Sequence, residues 1–368
     1  MNRREFISNT GQMATAGLLV GAMSVNAFGS SDAAEASQPK PTGALVLYYE
    51  FKIAGPQKAA MLTDIDNIIT TLSTKAGFLG LTLKQTYGKS TAVDNMEEKY
   101  KQKLSHAYFD MANITLPNFY TLFVRFDSYD NLIASKTKEW FIATVQPRLF
   151  AYSKDALGAP VKTPVVLDYY QGIYKTYFAA DRSGAFFKTQ ADIVAFARNQ
   201  QDLTATITND VAPTAYLSVA NHISLQDSKL TAFLVKMEAG IALNKYIYRP
   251  MPDGLNGAPN GTPDGTVYDG KNTTAYSATL DPNNIGISST GAVGDHNYRK
   301  AITREILINA YSDGNLRSLI MNGLWESAED HENSHIDPRF KAHMAPIGPY
   351  IVTGPVEPFY KTIKLHNN

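Results

Sequence analysis

The chain has 368 residues, 44% of them hydrophobic, which is enough for a large core or for two domains of ordinary size. Formal net charge is zero and no long basic run appears, so nucleic acid and anionic membrane surfaces are not expected partners. There is no cysteine, which excludes disulfides, thiolate nucleophiles and iron–sulfur ligation.

Residues 1–36 read as a targeting signal. Arg3-Arg4-Glu5-Phe6-Ile7 is a twin-arginine pattern, and an uncharged run rich in Ala, Gly and Met extends from Phe6 to Ala27. Val25-Asn26-Ala27 and Ala34-Glu35-Ala36 are small-residue cleavage sites. Export to the periplasm by the twin-arginine route is expected. The alternative is a retained anchor, but Gly and Thr dilute the run and make it marginal for spanning. No stable membrane span is expected once the signal is removed.

From residue 43 to residue 179 the pattern is β-α-β-β-α-β. Ala44–Ile53 is a β-rich run. Pro56 opens a helix with apolar residues at helical spacing, which Gly77 ends. Phe78–Tyr87 alternates as a strand, Glu97–Leu104 is a short charged helix, and Asn118–Phe126 is a third strand. Ser128–Leu149 reads as a second helix and Pro164–Phe178 as the closing strand. This is the order of the ferredoxin-like split unit.

Residues 180–212 form a linker with a helix at Gln190–Gln200. A second unit follows at 213–368: strand Pro213–Leu225, helix Lys229–Gly240, strands Arg304–Ala310 and Leu316–Trp325, a helix after Ser327, and closing strand Val356–Leu365. Ser327 can cap that helix, and Pro346, Gly348 and Pro349 stop it. Turn signals crowd residues 250–297, an insertion read as a lid or mobile loop. Its Asp-Gly spacing does not fit a calcium-binding EF-hand loop.

Phe126-Asp127-Ser128, Phe141 and Pro147 match Trp325-Glu326-Ser327, Phe340 and Pro346 at one offset of 199. Tyr174-Lys175-Thr176 returns as Tyr360-Lys361-Thr362. A tandem duplication accounts for these matches. The expected fold class is α+β: two ferredoxin-like repeats packed sheet to sheet as a pseudo-dimer within one chain, forming an eight-stranded barrel.

Trp325-Glu326-Ser327, with Phe340 fifteen residues after the Trp, gives the second unit its resemblance to the antibiotic biosynthesis monooxygenase family, whose members are dimeric α/β barrels. The first unit resembles it by element order and by Phe126-Asp127-Ser128. The resemblance implies oxygenation of aromatic polyketides or quinols without metal or flavin. It also extends to haem-degrading relatives and to members with no known activity. The partner it implies is a small flat aromatic ligand.

The resemblance assigns roles residue by residue. Asn221 would orient oxygen or substrate; the other reading is a structural amide. Trp325 would stack on the ligand, or serve as a core aromatic. The family's mid-helix His falls at Ser334, and His335 is one residue late, about 100° around a helix. His335 is nonetheless the candidate proton acceptor, and His343, in Phe340-Lys341-Ala342-His343, the candidate haem ligand. The expected cofactor is none or haem. His331-Glu332-Asn333-Ser334-His335 also spells H-E-x-x-H, with His331 and His335 as zinc ligands of a hydrolase. Asp330, Pro338 and polar surroundings oppose zinc and favour a solvated helix face. A third reading is a non-catalytic ligand- or partner-binding protein. Tyr48, Tyr49, Tyr169, Tyr170, Tyr174 and Tyr177 could line an aromatic pocket, or reflect β-propensity alone.

Overall fold

The computed structural model describes residues 37–89, 119–149, 169–181, 185–199, 216–241, 301–325, 331 and 345–368. The expected signal at 1–36, the charged helix at 97–104 and the insertion at 250–297 lie outside the described residues.

The first half opens with β1 (Leu45–Lys52) and α1 (Lys58–Leu72). Met61, Ile65, Ile68 and Leu72 fall on one stripe of α1 and are buried, which is why this segment packs as a helix. A 3-10 turn at Gly55–Gln57, holding Pro56, precedes it. β2 (Phe78–Lys89) and β3 (Phe119–Phe126) follow, and β4 (Tyr169–Asp181) closes the set. The chain enters β2 through Gly77 at φ +70°, where a Cβ would collide with Asp127 Oδ1 and Asn131 Nδ2. Gly77→Ala is therefore expected to destabilise by roughly 1–2 kcal/mol from the backbone alone, and by more from the collision, read as a lowered urea midpoint.

The expected single helix from Ser128 to Leu149 is broken. Ser128 caps α2 (Tyr129–Ala134) by accepting from the Asn131 N–H. Lys136 then turns left-handed at φ 62°, ending that run. α3 (Thr137–Trp140) passes into a π-turn at Phe141–Val145 and a 3-10 turn at Gln146–Arg148. The wider turn places both Phe141 and Val145 in the core.

β5 (Phe186–Phe187) and α4 (Gln190–Arg198) come next, α4 with a Thr189/Asp192 capping box. The second half contributes β6 (Leu217–Gln226), α5 (Leu230–Ile241), β7 (Thr303–Asn309), β8 (Leu316–Trp325), β9 (Ile351–Val356) and β10 (Pro358–Asn367). Pro346, Gly348 and Pro349 sit in a 3-10 helix at Ala345–Tyr350. β9, a short strand against β6 that comes just before the expected closing strand, was not anticipated.

Eight strands close into an antiparallel barrel in the order β1-β3-β2-β10-β6-β8-β7-β4, with β4 returning to β1. The first four strands run β4-β1-β3-β2 and the later ones β10-β6-β8-β7, so first, second, third and last strands occupy the same places in each set. The seams are β2–β10 and β4–β7.

Closure gives every strand an inner and a helix-side face. Leu45, Leu47, Tyr49 and Phe51 of β1 face α1 and the broken helix. Ile223 and Leu225 of β6 face Phe233, Met237 and Ile241 of α5. Val46, Tyr48, Phe123, Tyr174, Ala220, Leu307, Ile320 and Tyr360, drawn from both halves, pack inside.

Candidate functional site

Alternation along β6 sends Leu217, Val219, Asn221, Ile223 and Leu225 to the helix side of the second half. Asn221 is thus an amide in an apolar row. It is 5% exposed, and its Oδ1 receives no hydrogen bond. An unpaired buried amide oxygen costs on the order of 1–3 kcal/mol, so its presence calls for an explanation.

Trp325 is on the same face. It pairs with Leu217 across β6 and β8, while Asn221 pairs with Met321. The four-residue separation is about 13 Å along a strand. Asn221 and Trp325 therefore share a wall without touching. The Arg304 guanidinium lies 5.0 Å from the Trp325 ring. His331 meets Trp325 and Phe359 edge-on, each at 5.2 Å between centroids. His331 is only 3% exposed, which corrects the expectation of a solvated helix face: two aromatic rings enclose it. His335 and His343 lie outside the described residues. Among the described residues no group of three His, Asp or Glu side chains could hold a metal ion, and zinc finds no support.

In the first half the matching wall is filled. Leu45 pairs with Phe126 as Leu217 pairs with Trp325, so Tyr49 stands where Asn221 does. Tyr49 stacks on Phe141 at 3.9 Å, with Phe51 and Tyr169 against the same ring at 5.4 and 5.3 Å. The tyrosines expected to line one pocket are divided between faces. Tyr49 and Tyr169 point to the helices, Tyr48, Tyr170 and Tyr174 point inward, and Tyr177 packs at the margin of the second-half core.

The barrel interior holds charged groups not anticipated from the sequence. Their only signal was a charge within an apolar strand, as in Leu47-Tyr48-Tyr49-Glu50-Phe51 or Leu122-Phe123-Val124-Arg125-Phe126. Glu50 is fully buried and its Oε1 is 3.1 Å from His222 Nε2. By register, His222 is the counterpart of Glu50. Tyr48 donates its hydroxyl to Glu50, and Tyr170 and Tyr174 share a hydrogen bond of 2.5 Å. Burial, then the Glu50 charge, hold the Tyr48 and Tyr360 hydroxyls well above the usual phenol range. They remain protonated donors at neutral pH.

Nearer the start of β1 and β6 lies a second cluster. Arg125 grips Glu305 with both terminal nitrogens, at 2.6 and 2.7 Å. Glu305 also accepts from Thr176 at 2.9 Å and Asn322 at 3.2 Å. Despite burial, the guanidinium holds its carboxyl below the usual range. Lys84 donates to Ser218 Oγ at 2.5 Å and Asn322 Oδ1 at 2.7 Å. Burial, helped by the Arg125 charge, lowers its amine to about 7.

That shift sets a pH dependence. An unfolded Lys84 titrates near its ordinary 10.5, so between about 7 and 10.5 the unfolded chain binds the extra proton. Stability should therefore rise with pH across that window, by at most on the order of 5 kcal/mol at about 1.4 kcal/mol per pH unit. Urea titrations of the parent and of Lys84→Met check this, because the variant should lose the slope.

Two family profiles match the chain. One, described as an ABM-like domain, covers residues 44–131. The expected monooxygenase resemblance thus falls on the first half, whereas the motif reading had centred it on the second. No curated relative matches. Among solved structures, a candidate monooxygenase from Fusobacterium nucleatum is 10% identical, covering 89% of this chain and 95% of that one at a TM-score of 0.43. An anthrone oxidase-like protein is 9% identical, covering 89% and 94% at 0.46. A haem-bound DypB variant from Rhodococcus jostii is 11% identical, covering 90% and 98% at 0.38. At these scores the three likenesses carry no argument about this chain. The other profile, described as CT0912-like, C-terminal domain, covers residues 178–363, just over half of the molecule, and the chain belongs to that family.

Proposed function

We propose that the protein is an exported, monooxygenase-like protein. In this reading a flat aromatic ligand, quinol-like or haem, lies against the helix-side face of the second half. The unpaired Asn221 Oδ1 carries the reading: a buried acceptor with no donor suits a ligand hydroxyl. The ABM-like match at 44–131 supports the reaction class. Trp325 would bound the ligand's aromatic surface. Direct reaction with oxygen needs an electron-rich, deprotonated substrate, and His335 is proposed to take that proton. His343 remains the proposed haem ligand. The one described imidazole on the wall, His331, is enclosed by rings and is not poised to reach an iron.

We further propose that the two halves are tandem copies of a ferredoxin-like unit. Their equal strand order supports this. So does register: Tyr174 pairs with Val46 as Tyr360 pairs with Ser218, which are the places the repeated Tyr-Lys-Thr motif demands. The copies have diverged at the ligand wall, where Tyr49 and Phe141 fill one and Asn221 leaves the other polar.

Oxygen uptake by the purified protein with a hydroquinone tests the catalytic reading. Asn221→Ala should lower kcat/KM by about 10²-fold, typical of losing one well-placed polar group. Stability should hold or rise, since the substitution removes a buried acceptor whose hydrogen bond is not made. Quenching of Trp325 fluorescence without oxygen uptake would point instead to a non-catalytic binding protein. Neither uptake nor quenching, and no Soret band on adding haemin, would sink both readings.

A further inference from the structure

One contact in the barrel interior, apart from the wall described above, sets a nucleophile against an acyl carbon. The Lys84 amine is buried and stands over the Phe123 ring, 4.5 Å from its centroid. Its Nζ is 2.7 Å from Asn322 Oδ1, and the carboxamide carbon is one bond further on. The same carboxamide donates its Nδ2 to Glu305 Oε2 at 3.2 Å. The Ser218 hydroxyl accepts from Lys84 at 2.5 Å and lies 3.5 Å from Asn322 Oδ1. Amine, carboxamide and carboxylate thus come from β2, β8 and β7 and meet by direct contact. A buried ammonium ordinarily ends on a carboxylate. Here the amine ends on a neutral amide, and the carboxylate stands behind the amide nitrogen.

We propose that Lys84 and Asn322 condense into an intramolecular isopeptide bond, with Glu305 as the proton carrier. The lone pair of the uncharged Lys84 Nζ bonds to Asn322 Cγ, and the C=O π pair moves to Oδ1, within reach of the Ser218 hydroxyl. Nζ and Nδ2 then sit on one carbon, so Glu305 serves both: it takes a proton from Nζ and returns it to Nδ2. The Cγ–Nδ2 bond breaks, the oxygen pair re-forms the carbonyl, and ammonia leaves. An amine and an amide become an amide and ammonia, so no oxidant is needed and no charge is created or lost. The Arg125–Glu305 and Glu50–His222 pairs stay as they are. Burial beside Arg125 favours the uncharged amine that the attack requires. Amides resist amines in water, but fixed contact supplies an effective concentration of about 10⁵ M or more. Asn322 is half-buried, which gives ammonia a way out. The bond joins β2 of the first half to β8 of the second, strands that are not neighbours in the barrel, across 238 positions of sequence. In a chain without cysteine it takes the place of a disulfide. The pH dependence expected of Lys84 belongs to the chain before linkage.

Mass spectrometry of the full chain provides the test. The denatured parent protein should weigh one ammonia less than the sum of its residues. Its digest should contain a branched peptide joining the segment of Lys84 to the segment of Asn322, and should lack the two linear ones. This localisation needs no variant, so poor folding of a mutant cannot obscure it. Glu305→Gln, shown by circular dichroism to be folded, should keep its full mass and yield the two linear peptides. Linear peptides with free Lys84 and intact Asn322 in the parent would overturn the proposal. So would ammonia lost at Asn322 with Lys84 still free, because Asn322-Gly323 can instead cyclise on its own backbone. A link that persists in folded Glu305→Gln would remove Glu305 from the reaction. Oxygen uptake with hydroquinone is a separate measurement, so failure here leaves the Asn221 reading untouched.

Discussion

Arg125→Met is expected to destabilise the protein by roughly 3–5 kcal/mol, the cost of leaving one member of a buried ion pair without its partner. Side-chain exposures of 5% and 2% put both groups out of reach of water. The pair spans the interior, because β3 and β7 are not neighbours in the barrel. Loss of the guanidinium leaves Glu305 with Thr176 and Asn322 only, although the nearby Lys84 charge should recover part of the cost. Urea denaturation of four proteins separates the contributions: parent, Arg125→Met, Glu305→Gln and the double variant. The double variant should be clearly more stable than Arg125→Met alone, since no orphan charge remains. A double variant as unstable as the sum of the singles would show that the pair acts through packing and not through charge.

Phe141→Ala should have a comparable effect, about 3–5 kcal/mol for removing a fully buried phenyl ring. The ring stacks on Tyr49 and touches Phe51 and Tyr169, so its loss opens a cavity walled by aromatics. An apolar cavity of this kind stays dry and accepts a small ring. Benzene or indole should therefore raise the thermal midpoint of Phe141→Ala and leave the parent unchanged. If the parent responds equally, the first-half wall is not filled as the stacking distances require.

Several elements were legible in the sequence because their signals are local. α1 follows from Met61, Ile65, Ile68 and Leu72 at helical spacing. β3 and β8 follow from β-rich runs closed by Phe126 and Trp325. The broken helix after Ser128 was not legible. Nothing in Ser135-Lys136-Thr137 announces a left-handed residue, and the π-turn exists because Phe141 and Val145 must both reach the core. Of the candidate residues, Asn221 and Trp325 fall on one wall, but spacing in the chain could not show that they stand apart on it.

The sequence alone determined which residues alternate along each strand and where the helical stripe of α1 falls, because those periods belong to the backbone. It could not determine what the second face of each strand would meet. Lys84, Arg125, Glu50 and Glu305 lie in strand segments, where a charge ordinarily faces solvent, and nothing local marked them otherwise. Only closure through the β2–β10 and β4–β7 seams turned that face inward. Inside, water no longer solvates the charges, so each must find a partner across the barrel or change its protonation. Those partners are separated by 180 residues for Arg125 and Glu305, beyond any local pattern.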